Sequence, residues 1–138
     1  MRMAEIVRID AKGRAVFPMS VREALGLREG MYVMVIADLD RKEVSIIPFA
    51  DPEARLMEFR VGFGDAPGAL ARVAKVLADA NVDLLATESR TLHRGEAAEW
   101  SAIADVSKCK LDIKELKAKI LKDGAAKSVE AREYPRTR

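Results

Sequence analysis

Asp10-Ala11-Lys12-Gly13-Arg14-Ala15-Val16-Phe17-Pro18 sets a basic turn ahead of a short apolar run that a proline ends. Gly13 accepts the positive φ of a tight turn, and Pro18 lacks the N–H that a central strand requires. The stretch predicts a hairpin whose tip is flanked by Lys12 and Arg14. Around it the apolar runs are short and β-branched, with glycine or charged turns between them, and they predict strands over 4–10, 14–18, 31–37 and 43–48. Between the second and third of these, Ser20 is placed to cap a short helix and Gly26 to end it. Four short strands and a turn or two of helix bury little by themselves, so this part is expected to need a partner.

Asp51-Pro52-Glu53-Ala54-Arg55 is polar and carries a proline, which sets a linker over 51–56 between a first domain at 1–50 and a second at 57–134. Beyond it Phe59, Val61 and Phe63 alternate, and Leu70, Val73, Ala74 and Leu77 fall at helical spacing. A strand is expected from Val82 to about Thr91, a turn at 93–96, and a strand over 97–106 with Trp100, Ala102, Ala104 and Val106 on one face. Ile113, Leu116, Ile120 and Leu121 mark a second amphipathic helix that Gly124 ends, and a strand follows over 128–134. The order is β-α-β-β-α-β, a ferredoxin-like α+β arrangement, with residues 135–138 as a tail.

Composition narrows the chemistry. With 49% hydrophobic and 33% charged residues the chain reads as globular, and no run approaches the roughly 18 apolar residues of a membrane span. The first eight residues carry charges where a signal peptide needs its apolar core, which predicts a cytoplasmic protein with no membrane partner. Cys109 is the only cysteine and His93 the only histidine, so a disulfide, a cysteine zinc site and a Cys-His catalytic pair are not expected. No nucleophile, base and orienter can be assembled at a defensible spacing, so neither enzymatic activity nor a metal or cofactor is expected. The net charge is +2, and each side of residue 50 carries +1, so a nucleic-acid surface must come from local clustering.

The succession Lys12-Gly13-Arg14, Pro18, Arg22, Leu25-Gly26-Leu27 and Gly30 resembles the AbrB/SpoVT/MazE-like DNA-binding domain over nearly all of residues 4–49. The resemblance implies a mainly-β swapped-hairpin barrel of two interleaved chains, with basic residues of both converging on double-stranded DNA. Arg8, Lys12, Arg14 and Arg22 stand where that pattern is basic, and two-fold symmetry would double them. Such a surface gives marked salt dependence, and arginine can also read guanine edges. Glu23 departs from the pattern, because DNA-binding members often carry a base there. By themselves the same residues could be ordinary surface cations.

Asp65-Ala66-Pro67-Gly68-Ala69-Leu70, followed by a helical stretch and Asn81-Val82-Asp83-Leu84, resembles an ACT domain, a small-ligand regulatory module. In physical terms Asp65 is placed to cap the helix, Pro67 to set φ in its first turn and Gly68 to leave the backbone uncovered for a carboxylate. The same residues also make a good cap-and-turn for any helix. The resemblance implies an amino-acid effector held by Asp65, Ala66, Pro67, Gly68, Ala69 and Leu70 together with Asp83, which stands where members often have asparagine.

Joined in one chain, these readings predict an amino-acid-responsive transcriptional regulator, a DNA-binding barrel controlled by an ACT sensor. The alternative is an interaction protein that does not bind DNA, either an antitoxin-like partner or the regulatory subunit of a metabolic enzyme. Both modules resemble pairing units, which predicts a homodimer, or a homotetramer if each module pairs with a different copy.

Overall fold

The computed structural model describes residues 1–64 and 67–134. The chain forms two compact units, Met1–Pro52 and Glu53–Arg138. Among the described residues the architecture is α+β, with three helices and two sheets of two and four strands.

In the first unit, α1 (Met19–Leu25) precedes the antiparallel hairpin of β1 (Tyr32–Asp38) and β2 (Glu43–Ala50). Pro18 is the N-cap of α1, with φ −56°, and no side chain caps the helix. Ser20 is therefore not the cap expected of it. It falls inside the first turn, and its hydroxyl donates to Glu5 Oε1 at 3.0 Å. Gly26 ends the helix in the left-handed region at φ 67°, where the Leu27 N–H donates to the Arg22 carbonyl at 2.8 Å.

The strands expected over 4–10 and 14–18 are not formed. Residues 3–10 and 14–18 belong to no sheet, and the turn between them carries the local hydrogen bonds. A strand exists only by pairing, and this one chain offers these segments no neighbour. Their apolar side chains face outward accordingly: Ile6, Ile9 and Val16 are exposed. No residue of Met1–Pro52 is buried.

The second unit contains β3 (Leu56–Phe63), α2 (Ala69–Asp79), β4 (Asp83–His93), β5 (Ala97–Asp105), α3 (Ile113–Lys122) and β6 (Ser128–Glu133). Its sheet is antiparallel in the order β4-β5-β3-β6. Leu56, expected in the linker, opens β3 and is buried, because it pairs with Asp105 and its carbonyl accepts the Tyr134 N–H at 3.1 Å.

One face of this sheet builds the core. Met57, Phe59, Val61 and Phe63 alternate inward on β3, opposite Ala104, Ala102, Trp100 and Ala98 of β5. Three alanines on β5 leave room for Val73 and Leu77 of α2 and for Leu116 and Ile120 of α3, all four of them fully buried. Burying each such aliphatic side chain contributes about 1.5–3 kcal/mol. The opposite face is polar, and there Glu58 accepts from Arg132 at 3.1 Å and pairs with Arg60 at 3.5 Å.

Asp112 caps α3 by accepting the Glu115 N–H at 2.7 Å. Just past its end, the backbone of Gly124 lies against α2: a Cβ there would sit 2.6 Å from the Ile120 carbonyl oxygen and 3.3 Å from Val73 Cγ2. Among the described residues no helix is long and apolar enough to cross a membrane. The tail expected at 135–138 lies outside the described residues.

Candidate nucleic-acid interface and ligand groove

The basic turn is organised by one carboxylate. Asp10 Oδ1 accepts the backbone N–H groups of Lys12 and Arg14, both at 2.9 Å, and Oδ2 accepts Arg14 Nε at 2.8 Å. Backbone bonds close the loop, from the Asp10 N–H to the Arg14 carbonyl and from the Gly13 N–H to the Asp10 carbonyl. Gly13 has φ 77°, a conformation that a side chain there would strain. The hydrogen bonds from the Arg14 backbone and side chain, with that from Lys12, hold the Asp10 carboxyl below the usual carboxylate range.

Arg14 is thus held by Nε while its side chain stays 70% exposed, which leaves the outer edge of the guanidinium turned to solvent. That edge is the fork that phosphate or a guanine edge recognises. Lys12 is exposed on the same turn. Arg8 lies on the extended segment before the turn and Arg22 on α1, both exposed, and no hydrogen bond or ion pair among the described residues joins either side chain to Asp10, Lys12 or Arg14. Of the four expected DNA-contacting residues, Lys12 and Arg14 share the Asp10-anchored turn. Glu23 is exposed beside Arg22.

In the second unit, Asp65 and Ala66 lie outside the described residues. Pro67 precedes the helix instead of entering its first turn, because Gly68 is the N-cap of α2, at φ 84°. Among the described residues no side chain accepts from the first N–H groups of this helix. Ala69 is buried, while Leu70 lies at the surface.

Gly68, Leu70 and Ala71 form one wall of a groove of about 490 Å³, closed by Phe63, Ala98 and the end of β4. Ser89 and Thr91 bring two hydroxyls to it, with Arg90 between them on the strand. Sequence reasoning missed these three. Their signal lies in register: Ser89 and Thr91 pair with Trp100 and Ala98, so they share the core-facing side of the sheet on an edge strand. Uncovered N–H groups and the Arg72 guanidinium, whose Nη1 lies 3.7 Å from the Cβ position of Gly68, suit a carboxylate, and the apolar wall suits a short aliphatic body.

Asp83 is not part of this groove. It lies with Asn81, Val82, Asp105, Ser107 and Lys108 at the other end of α2. That helix has 11 residues, which at a rise of about 1.5 Å per residue is about 16 Å. Within one chain the helix separates Asp83 from Gly68, so a site using both would have to be completed by a second copy.

No family model matches the chain, and no curated protein matches it. Among solved structures it is similar to that of an unknown protein from Galdieria sulphuraria, at 15% identity and a TM-score of 0.47, over 66% of this chain and 57% of that one.

Proposed function

We propose that this chain is an amino-acid-responsive DNA-binding transcriptional regulator, cytoplasmic and at least dimeric, with an AbrB-like first unit and an ACT-like second unit. The observation that carries the reading is the Asp10-anchored turn. It holds Lys12 and Arg14 outward from a unit with no buried residue, as expected of half of a two-chain barrel. Paired copies would bring Arg8 and Arg22 of both chains to the surface that one chain leaves incomplete. The groove at Gly68, with Arg72, Ser89 and Thr91, then receives the effector's carboxylate.

The reading is tested by selecting genomic DNA fragments on the full-length protein, with and without a pooled amino-acid mixture, and titrating a selected fragment at several salt concentrations. Binding should weaken steeply with salt, with a slope of about −0.9 per phosphate neutralised. Arg14→Glu with Arg22→Glu should abolish it. A second reading, an interaction protein that does not bind DNA, is favoured by the exposed Glu23 beside Arg22. It is chosen if no fragment is retained at low salt and a toxin or metabolic enzyme copurifies.

A further inference from the structure

The four-stranded sheet ends at β4, whose outer side has no strand beside it among the described residues although it runs for 11 residues. An open edge is a row of unpaired N–H and C=O groups, and proteins usually blunt it with proline, lysine, bulges or brevity. The other edge, β6, is brief, with 6 residues. β4 holds neither proline nor lysine, and its register shifts fall near its two ends, between Leu84 and Ala86 and between Thr91 and His93. The stretch between them is regular, and Thr87 to Leu92 are exposed.

That stretch, Ala86-Thr87-Glu88-Ser89-Arg90-Thr91-Leu92, is self-complementary about Ser89. Laid antiparallel on a second copy with Ser89 opposite Ser89, it sets Glu88 opposite Arg90, Thr87 opposite Thr91, and the exposed Leu92 opposite Ala86, each of them twice. Opposite charges and paired threonines are favourable cross-strand neighbours. Within its own chain Glu88 lies opposite Ser101 on β5, and its contact with Arg90 is loose, at 3.9 Å with both side chains mostly exposed. Sliding the second copy by two residues sets Glu88 opposite Glu88 or Arg90 opposite Arg90, which like charges disfavour. Sliding it by one puts the core-facing residues of one copy on the polar side of the other.

We propose that β4 is a docking edge for a second copy of this chain, which continues the sheet antiparallel through a two-fold axis at Ser89. Each copy then brings its Thr87 beside Thr91 of the other, a residue that lines the groove at Gly68. The pairing uses the second unit alone and requires neither DNA nor an effector.

Site-specific cross-linking of the full-length protein is the test, because it reads register whether or not the first unit also holds copies together. Ser89→Cys, in a Cys109→Ser background, is exposed to oxidised glutathione and run on a non-reducing gel beside Thr87→Cys and Thr91→Cys in the same background. Opposed residues lie about 4.5–5.5 Å apart between Cα atoms, within disulfide reach, whereas each threonine is displaced by about 13 Å along the strands from its own counterpart. Ser89→Cys is expected to give a covalent dimer at least about tenfold faster than either threonine variant. Adding Arg90→Glu should slow it at least about threefold, and adding Glu88→Arg as well should restore it. No dimer from Ser89→Cys, equal rates at the three positions, no slowing by Arg90→Glu, or a charge swap that fails to rescue would overturn the proposal.

Discussion

Arg14 and Asp10 meet twice: the backbone N–H of Arg14 donates to Oδ1 at 2.9 Å and its Nε donates to Oδ2 at 2.8 Å. The turn and the guanidinium are therefore positioned by the same carboxylate. Because the folded Asp10 carboxyl titrates below its ordinary range, its bonds are fully in place above that range and are lost as pH falls through the lowered value. A carboxyl-carbon NMR titration should show this depression. In Arg14→Gln the Asp10 value should rise toward ordinary but stay somewhat low, because both backbone N–H donors remain. An unchanged value would mean that the side-chain bond contributes nothing.

Asp105 should make the second unit sensitive to acid. Partial burial raises its carboxyl, but the N–H and hydroxyl of Ser107, the Arg55 N–H and the charge of Lys108 together outweigh it, and the net shift is downward. The bonds from Arg55 at 3.0 Å and Ser107 at 2.9 Å tie the start of β3 to the end of β5. Their contribution is present above the ordinary aspartate value of about 4 and disappears as pH falls through the lower folded value. Melts followed by circular dichroism should show Asp105→Asn less stable than wild type at neutral pH, with the difference shrinking in acid. A constant difference would contradict this.

Gly124 should resist enlargement. Any Cβ meets the Ile120 carbonyl oxygen, which is backbone and cannot turn away, so Gly124→Val should destabilise the unit by about 1–3 kcal/mol. Leu77→Ala and Leu116→Ala, each emptying a fully buried position, should cost about 2–5 kcal/mol. Urea unfolding measures all three. A Gly124→Val midpoint equal to wild type would show that the turn after α3 relaxes at no cost.

Assembly should depend on the first unit. Ile9 is 70% exposed and Val16 78% in a single chain, on segments that have no sheet partner. Light scattering across concentration should give at least a dimer. Ile9→Asp with Val16→Asp should raise its dissociation constant by at least about tenfold, if the second unit does not hold the chains together by itself. A wild-type chain that stays monomeric at all concentrations would remove the barrel reading.

The second unit was legible because its partners lie within the chain. Phe59, Val61 and Phe63 alternate and Leu116 and Ile120 recur at helical spacing, and each meets its counterpart in the same core. In residues 4–18 the same alternation finds no counterpart, and no strand forms. Ser20 misled because Pro18, two residues earlier, already fixes the helix start. At the site, the loop motif pointed to Gly68 and Leu70. It gave no sign of Ser89 and Thr91, which reach the groove through strand register that only the folded sheet defines.

Trp100 is the only tryptophan in the chain, and it lies in the core of the second unit at 3% exposure. Its emission is a local observer: it follows the water reaching β5 and says nothing of the first unit, whose only aromatic side chains are Phe17, Tyr32 and Phe49. Tryptophan fluorescence and far-ultraviolet dichroism therefore watch different parts of this molecule. Where their unfolding curves coincide, the two units melt as one; where they separate, the dichroism that changes while the fluorescence is still is the first unit's own transition.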